Sequence, residues 1–181
     1  MNAPWFSSRQ FRDALGLFAS GVVVVTSPAR SGERLGLTVS SFSSLSLEPP
    51  LILFSIYRNA KSFSAWETAQ HFAVNILAEH QSALSTRFAR ALSDKWADLD
   101  VGRDQHGSPT LPGALAVLSC STYDRLDGGD HMIMVGHVDA LAAAGLSDPR
   151  PLMFFAGAYR RLDSEFAVQT PAEAAACLQG W

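Results

Sequence analysis

The chain has 181 residues, of which 48% are hydrophobic and 17% charged, and its formal net charge is -3. This length fits one domain over residues 1–181, with a core over about 8–162 and a tail over 163–181. The slightly negative charge gives no electrostatic reason to expect nucleic acid or an anionic membrane as a partner.

No targeting or membrane-spanning segment stands out in the sequence. The first nine residues lack the basic region followed by an apolar one that marks a secretory signal. No apolar run approaches the roughly 20 residues needed to cross a bilayer. The two cysteines, Cys120 and Cys177, have no metal or redox spacing. We therefore expect a cytoplasmic protein without a metal site.

The first predicted element is an amphipathic helix. Ser7 and Gln10 have the spacing of a capping box, which predicts the helix start. We expect this helix to end at Gly21. Three apolar residues recur on one of its faces: Phe11, Leu15 and Phe18.

Strands are predicted next. A β-branched run over 22–25 and an alternating pattern over 35–39 predict a β-hairpin. The hydroxyl-rich run that follows, up to Ser46, is interpreted as a polar connection. Two prolines then precede another strand over 51–56.

The rest of the chain mixes helices, strands and one long polar loop. Apolar spacing predicts helices over about 62–70 and 79–91, and a loop over 93–112. The predicted strands are 72–77, 114–123, 131–142 and 152–156. About seven strands, mostly neighbours in sequence, favour a mainly β fold. We expect an antiparallel barrel or sandwich with helices at its ends rather than a parallel sheet.

Several common catalytic motifs are absent from the sequence. No Gly-x-Gly-x-x-Gly opens a helix after a strand, and neither a P-loop nor a Gly-x-Ser-x-Gly elbow is present. The five histidines do not pair with acids or cysteines at zinc-ligand spacings. A hydrolase or a metalloenzyme therefore has little support.

Two segments have residues suited to a phosphate-bearing ligand. The run Thr38–Ser46 offers hydroxyls and backbone N–H groups where a strand ends. In the segment Arg58–Ser62, at a predicted helix start, Asn59 and Lys61 suit a phosphate. Each segment also has a simpler interpretation. The first would be a Ser-rich connection without a ligand, and the second an N-cap with a solvated lysine.

Two further segments carry weaker signals. Arg87, which follows Ser85 and Thr86, is suited to clamp a phosphate or a carboxylate. Asp130 and His131 follow two glycines at a strand start, where an imidazole would be well presented. A turn with solvated side chains is the simpler interpretation there.

Four stretches, in their order and spacing, carry a resemblance to a known family. They are Phe11 to Thr26, Gly36-Leu37-Thr38-Val39-Ser40-Ser41-Phe42 with its continuation to Leu51, Phe72 to Ala89, and Gly129-Asp130-His131. Together they resemble the short-chain flavin reductases, the flavin reductase-like group with an FMN-binding split barrel. That group includes the reductase components of two-component flavin monooxygenases.

The resemblance implies a fold and an assembly. The fold is a split antiparallel β-barrel with Greek-key connections and flanking helices. The assembly is an intertwined homodimer with each flavin site near the dimer interface. The implied cofactor is FMN, with FAD possible, and the implied co-substrate is NADH or NADPH.

The resemblance also implies roles for individual residues. His131 matches a histidine near the nicotinamide, and Asp130 shapes its loop. Ser85 and Arg87 match a region near the flavin phosphate. The phosphate itself falls to Asn59, Lys61 and Ser62. The segment along the isoalloxazine ring and the ribityl chain is matched by Thr38, Val39, Ser40 and Ser41.

The implied reaction is hydride transfer from the nicotinamide C4 to the flavin N5, after which reduced flavin passes to a separate flavin-dependent monooxygenase. Two alternatives stay open: an FMN-binding split-barrel protein without reductase activity, and a pyridoxamine phosphate oxidase-like oxidase. The choices between FMN and FAD, and between NADH and NADPH, also stay open.

Overall fold

The computed structural model describes residues 5–28, 32–91, 94–145, 147 and 149–163. Its α-helices are α1 (Ser8–Leu15), α2 (Phe63–Glu67) and α3 (Ser82–Ala89), and a 3₁₀ helix covers Glu79–Gln81. Its strands are β1 (Ser20–Gly21), β2 (Val23–Pro28), β3 (Arg34–Val39), β4 (Ser43–Leu47), β5 (Pro50–Tyr57), β6 (His71–Ile76), β7 (Gly102–Arg103), β8 (Pro109–Thr110), β9 (Ala116–Gly128), β10 (His131–Ala143), β11 (Met153–Phe155) and β12 (Ala158–Arg160). The chain is mainly β, as predicted.

A seven-stranded antiparallel sheet organises the fold. Its strand order is β3-β2-β6-β9-β10-β5-β4, with β3 and β4 at the two edges. A three-stranded sheet, β1-β11-β12, and a two-stranded sheet, β7-β8, complete the strands of the described residues. The pairing of β10 with β5 is unbroken from His131 opposite Tyr57 to His137 opposite Leu51. The pairing of β10 with β9 instead contains two register shifts.

Strand β2 is buried on both faces, which explains its continuous β-branched run. Val23 and Val25 pack into one apolar cluster, with Phe54, Trp66 and Phe72. The alternate residues of the same run, Val22 and Val24, pack into a second cluster with Leu77, Phe88 and Leu152. The sheet therefore has a core on each side, and the second core lies under α3.

The capping box at the start of α1 is confirmed, because Ser7 Oγ accepts from the Gln10 backbone N–H and Gln10 accepts from the Ser7 N–H. The predicted end of this helix at Gly21 is wrong. The helix ends at Leu15 because the chain then pairs Ser20–Gly21 with β11. Tertiary pairing overrides the helical pattern here.

The apolar face of α1 is exposed in the single chain. Phe11 and Leu15 are 51% and 56% exposed, Phe18 just beyond the helix is 80% exposed, and no residue of the helix is buried. No helix in the described part of the chain is long and apolar enough to cross a membrane.

Three predicted boundaries further along differ from the structure. The Ser-rich run is not only a connection, since Ser43–Leu47 forms β4; its edge position leaves most of it exposed, so no apolar pattern marks it. Helices α2 and α3 end earlier than predicted, at Glu67 and Ala89. The predicted loop 93–112 contains the short strands β7 and β8. The tail beyond Asp163, and Cys177 with it, lies outside the described residues.

Candidate functional site

The end of β5 lies against the turn between β9 and β10. The Arg58 backbone N–H donates to the Asp130 carbonyl at 2.9 Å, and its Nε donates to the Gly129 carbonyl at 2.9 Å. The guanidinium also pairs with Asp127 at 2.7 Å. Gly129 has a φ of 76°, as a tight two-residue hairpin turn requires. Arg58 thus fixes this turn to the strand that precedes the predicted phosphate segment.

His131, the first residue of β10, is oriented by two neighbours. Its Nδ1 lies 2.7 Å from Asp130 Oδ1, so an ionised carboxylate accepts a hydrogen bond from Nδ1 and leaves Nε2 available. Its ring lies 5.3 Å from the Tyr57 ring, centroid to centroid. The side chain remains 41% exposed. The predicted pair of Asp130 and His131 is therefore a contact pair with an accessible imidazole.

A cleft of about 710 Å³ lies between β3, α2 and the end of α3. We call it the lysine cleft, because the chain has only two lysines, Lys61 and Lys95, and both line it. Arg90 adds a third cation, and Glu33 is the one acid among the lining residues. A chain of net charge -3 therefore places three cations around one cleft.

The predicted phosphate residues Asn59, Lys61 and Ser62 all line the lysine cleft. Asn59 is not the N-cap of α2; that position is occupied by Ser62, whose side chain makes no capping hydrogen bond. The Asn59 amide instead donates to the Tyr57 hydroxyl at 3.1 Å. Through Tyr57, the cleft and His131 belong to one continuous set of contacts.

The four predicted residues at the end of β3 have different surroundings. Thr38 donates from its hydroxyl to the Ser85 carbonyl at 2.7 Å, and Val39 is buried at 7% exposure. Ser40 and Ser41 are exposed in the connection to β4. The Ser41 hydroxyl accepts from the Ser55 backbone N–H at 3.0 Å, which holds the connection against β5. An exposed, fixed pair of serines can meet a planar ligand.

Ser85 and Arg87 do not line the lysine cleft. The Ser85 hydroxyl is buried and lies 2.8 Å from the Tyr159 hydroxyl. The Arg87 Nη1 donates to the Ala97 carbonyl at 2.9 Å. Both side chains therefore connect α3 to other segments, at Tyr159 and Ala97. Neither lines the cleft where a phosphate is expected.

Sequence reasoning missed Lys95 and Arg90 as residues of this cleft. Both follow α3, in a stretch interpreted as the end of a helix and the start of a surface loop. The rarity of lysine is a signal for Lys95: the chain of 181 residues has two lysines, and both can bind an anion.

A cluster of histidines lies elsewhere, around Asp139 on β10. Asp139 accepts hydrogen bonds from the Ser121 hydroxyl at 2.6 Å, His137 Nδ1 at 2.8 Å and His106 Nε2 at 2.9 Å. The His106 ring stacks on His71, with centroids 4.2 Å apart. Within the described ranges, no group of three or more His, Cys, Asp or Glu side chains is arranged to hold a metal ion.

Electrostatics at Asp139 follow from these contacts. Burial opposes ionisation of the carboxyl, but the hydrogen bonds from Ser121, His137 and His106 together outweigh it. The pKa of Asp139 therefore lies below its ordinary value. This cluster fixes the 104–108 segment to the sheet rather than forming part of the cleft.

Known proteins resemble this chain in sequence and in structure. Residues 15–163 match the family described as the flavin reductase like domain. The chain is 40% identical over 147 residues to the stachydrine N-demethylase reductase subunit Stc3 of Rhizobium meliloti (strain 1021), a match that covers 81% of this chain and 64% of that protein. It is 41% identical over 159 residues to the FMN reductase (NADH) SmoA of Agrobacterium fabrum (strain C58 / ATCC 33970), covering 88% of each.

A solved structure shares the fold. Nitrilotriacetate monooxygenase component B from Mycobacterium thermoresistibile matches with a TM-score of 0.85 at 38% identity, over 90% of both chains. This likeness confirms the predicted antiparallel split barrel. The chain spans less than two thirds of the length of Stc3, since the match covers 64% of that protein.

Proposed function

The chain belongs to the flavin reductase-like family, and from that premise we propose that it is an NAD(P)H-dependent flavin reductase acting on FMN. The observation that carries the proposal is the lysine cleft, whose three cations are linked through Asn59 to the ring contact between Tyr57 and His131. A phosphate at one end and a nicotinamide at the other match these two environments.

The residues of the cleft fit the phosphate of FMN. Lys61 and Arg90 supply positive charge, and Asn59 and Ser62 supply neutral donors beside them. Against one carboxylate, Glu33, the three cations leave the cleft with a net positive charge, so an anion is the ligand that this set of donors favours. We assign Lys61, Asn59 and Ser62 to the phosphate.

The connection after β3 fits the ring of the flavin. Ser40 and Ser41 present hydroxyls and backbone N–H groups at the surface, and the bond from Ser55 to Ser41 fixes their position. Backbone donors aimed at the ring would stabilise negative charge that develops there. Thr38 and Val39 support this connection from below, through Ser85 and the core.

When bound, the flavin supplies a ring that accepts a hydride from the nicotinamide of NADH or NADPH. The protein must hold and orient both partners and exclude water, and it needs no general base. We assign His131 to positioning the nicotinamide. Asp130 fixes the ring of His131 through Nδ1 and so determines which nitrogen faces the co-substrate.

We extend the proposal to a domain, an assembly and a partner. Residues 1–181 form one domain, and the protein acts as a homodimer, which the exposed apolar side chains of α1 support. The names of the relatives describe reductase subunits and a monooxygenase component. By analogy, we propose that this protein passes reduced flavin to a separate flavin-dependent monooxygenase in the cytoplasm.

The deciding experiment measures oxidation of NADH and of NADPH by purified protein, followed by absorbance, with FMN, FAD, riboflavin or no added flavin. We expect turnover that depends on added flavin and is fastest with FMN. Flavin binding without nicotinamide oxidation would contradict the proposal and favour a binding protein of the same fold. Oxidation of pyridoxamine phosphate instead of NADH would indicate an oxidase.

A further inference from the structure

Lys95 makes an unusual pair of contacts for a lysine at a cleft. Its Nζ donates to the Gly36 carbonyl of β3 at 3.1 Å and to the Phe88 carbonyl of α3 at 3.1 Å. The same ammonium therefore bonds to a strand and to the last turn of a helix, where backbone carbonyls lack helical partners.

Neighbouring residues repeat this connection. The Trp96 indole donates to the Arg34 carbonyl at 2.9 Å, and the Ala97 carbonyl accepts from Arg87 of α3 at 2.9 Å. We call residues 94–97 the strap. It runs along β3, an edge strand of the large sheet, and bonds to carbonyls that a sheet edge would otherwise leave free.

The strap fixes the strand that leads directly into the proposed flavin segment. Gly36 lies two residues before Thr38, and Thr38 itself bonds to α3 through Ser85. A side chain cannot replace the glycine without displacement, since a Cβ there would lie 2.4 Å from the Phe88 ring. Lys95 can therefore bond to both the Gly36 and Phe88 carbonyls because β3 packs closely on α3 at this glycine.

Lys95 also faces the lysine cleft, with Lys61 and Arg90. An ammonium has three donors, and the two carbonyls use two of them. Burial lowers the pKa of Lys95, because the charged form loses water that the carbonyls replace only in part. An anion in the cleft would restore that lost stabilisation.

We propose that Lys95 is a second phosphate-binding residue of the flavin site, which at the same time holds β3 in the position that the flavin ring requires. The inference rests on the proposed function and deepens it, by making the preference for phosphorylated flavin depend on a residue 34 positions after Lys61. The third N–H of Lys95 would donate to the ligand phosphate.

The test compares FMN with riboflavin, which lacks the phosphate. Binding of each flavin is measured by titration for the wild type, Lys95→Met and Lys95→Gln. Both variants should weaken FMN binding about tenfold, the loss expected when a hydrogen bond to a charged group is removed, and riboflavin binding much less. The dependence of FMN affinity on salt should also decrease, since one charge fewer meets the phosphate.

Three variants separate this role from a purely structural one. Lys95→Gln retains N–H donors for the strap, so it keeps the measurement possible if Lys95→Met fails to fold. Arg103→Met removes one positive charge from β7, outside the cleft, and should leave the ratio of FMN to riboflavin affinity unchanged. Lys95→Arg keeps the charge and should retain most of the FMN preference.

Equal losses for the two flavins in both Lys95→Met and Lys95→Gln, with unchanged salt dependence, would overturn the inference and leave Lys95 a structural residue. If the wild type binds no flavin at all, the proposed function itself fails. If the wild type binds flavin but its ratio of FMN to riboflavin affinity equals that of the Lys95 variants, this inference is wrong and the proposed function stands.

Discussion

The ring of Tyr57 lies 5.3 Å from the ring of His131, and the Tyr57 hydroxyl accepts a 3.1 Å hydrogen bond from Asn59. One aromatic residue at the end of β5 thus contacts the imidazole on one side and a residue of the lysine cleft on the other. The nicotinamide and phosphate ends of the proposed site therefore both contact Tyr57, and substitutions at the two ends can be compared directly.

His131→Ala should weaken the use of NADH while flavin binding changes little, because the imidazole is assigned to the nicotinamide alone. Steady-state kinetics with saturating flavin should show a kcat/KM for NADH reduced roughly tenfold, as expected for loss of one positioning contact. Asp130→Asn keeps the side-chain shape and should cause a smaller loss. An unchanged kcat/KM for NADH in His131→Ala would remove the assignment.

Lys61→Ala should weaken FMN binding more than riboflavin binding. The Lys61 ammonium lines the cleft and is assigned to the phosphate. Its loss should therefore weaken FMN binding about tenfold. Titration of both flavins checks the result, with Arg103→Met as the charge-matched control. If Lys61→Ala loses affinity equally for the two flavins, Lys61 does not contact the phosphate.

Gly36→Ala should destabilise the protein and impair flavin binding together. The new Cβ would lie 2.4 Å from the Phe88 ring, which is fully buried and packs against Trp96, so the strand must move away from α3. Overpacking of this kind costs about 1–3 kcal/mol. Denaturant unfolding measures the loss.

The matched control for that substitution is Gly21→Ala, because a Cβ at Gly21 would have no atom within 4 Å. We expect its free energy of unfolding to stay close to that of the wild type. A Gly36→Ala variant as stable as Gly21→Ala would show that β3 and α3 leave room for a methyl group at this position.

Asp139→Asn should reduce stability at neutral pH but not in acid. The pKa of Asp139 is lowered in the folded protein, so its stabilising contribution is fully present above the unfolded pKa of about 3.9. That contribution disappears as the pH falls through the still lower folded pKa. Loss of a hydrogen-bonded charge should cost about 2 kcal/mol near pH 7.

Denaturant unfolding at several pH values tests this expectation, with Asp13→Asn as the control because Asp13 is exposed and makes only a loose ion pair at 3.9 Å. The wild type and Asp139→Asn should begin to converge in stability as the pH falls below about 4, and should be equal only below the lowered folded pKa of Asp139. A difference that is constant with pH would mean that the carboxylate charge plays no part.

Cys120 should resist thiol reagents in the folded protein. Burial, followed by the nearby charges of Asp139 and Asp104, raises the pKa of its thiol to about 12, so little thiolate forms at neutral pH. In a Cys177→Ser background, a chromogenic disulfide reagent should react with Cys120 only after denaturation. Fast reaction under native conditions would show that this part of β9 opens readily.

Much of the fold follows from local pattern. The β-branched run at Val22–Val25 and the alternation at 35–39 predict the hairpin that the structure contains, because burial on one or both faces determines which positions of each strand are apolar. The capping box at Ser7 is equally local. The end of α1 and the edge strand β4 could not be predicted in this way, because long-range pairing with β11 and β5 decides both.

The candidate site likewise contains residues that a local motif predicts and residues that only long-range contacts bring in. Asn59, Lys61 and Ser62 share one segment, so a local motif identified them together, and all three line the cleft. Lys95 reaches the same cleft from a different segment, through a strap whose contacts join residues 59 positions apart in sequence. No local spacing encodes such a contact, so only the folded chain reveals it.

The unbroken pairing of β10 with β5, next to the shifted pairing of β10 with β9, has a consequence for tolerance to change. His131 pairs with Tyr57 in the unbroken β5 ladder, and the two register shifts against β9 lie further along β10, beyond Val135. Insertions or deletions in β9 could therefore be absorbed at its bulges while the imidazole keeps its distance from the cleft. A single-residue slip of β5 would instead turn Tyr57 to the face of the sheet opposite His131 and break their ring contact. Length variation among natural variants of this chain should accordingly accumulate in β9 and be excluded from β5.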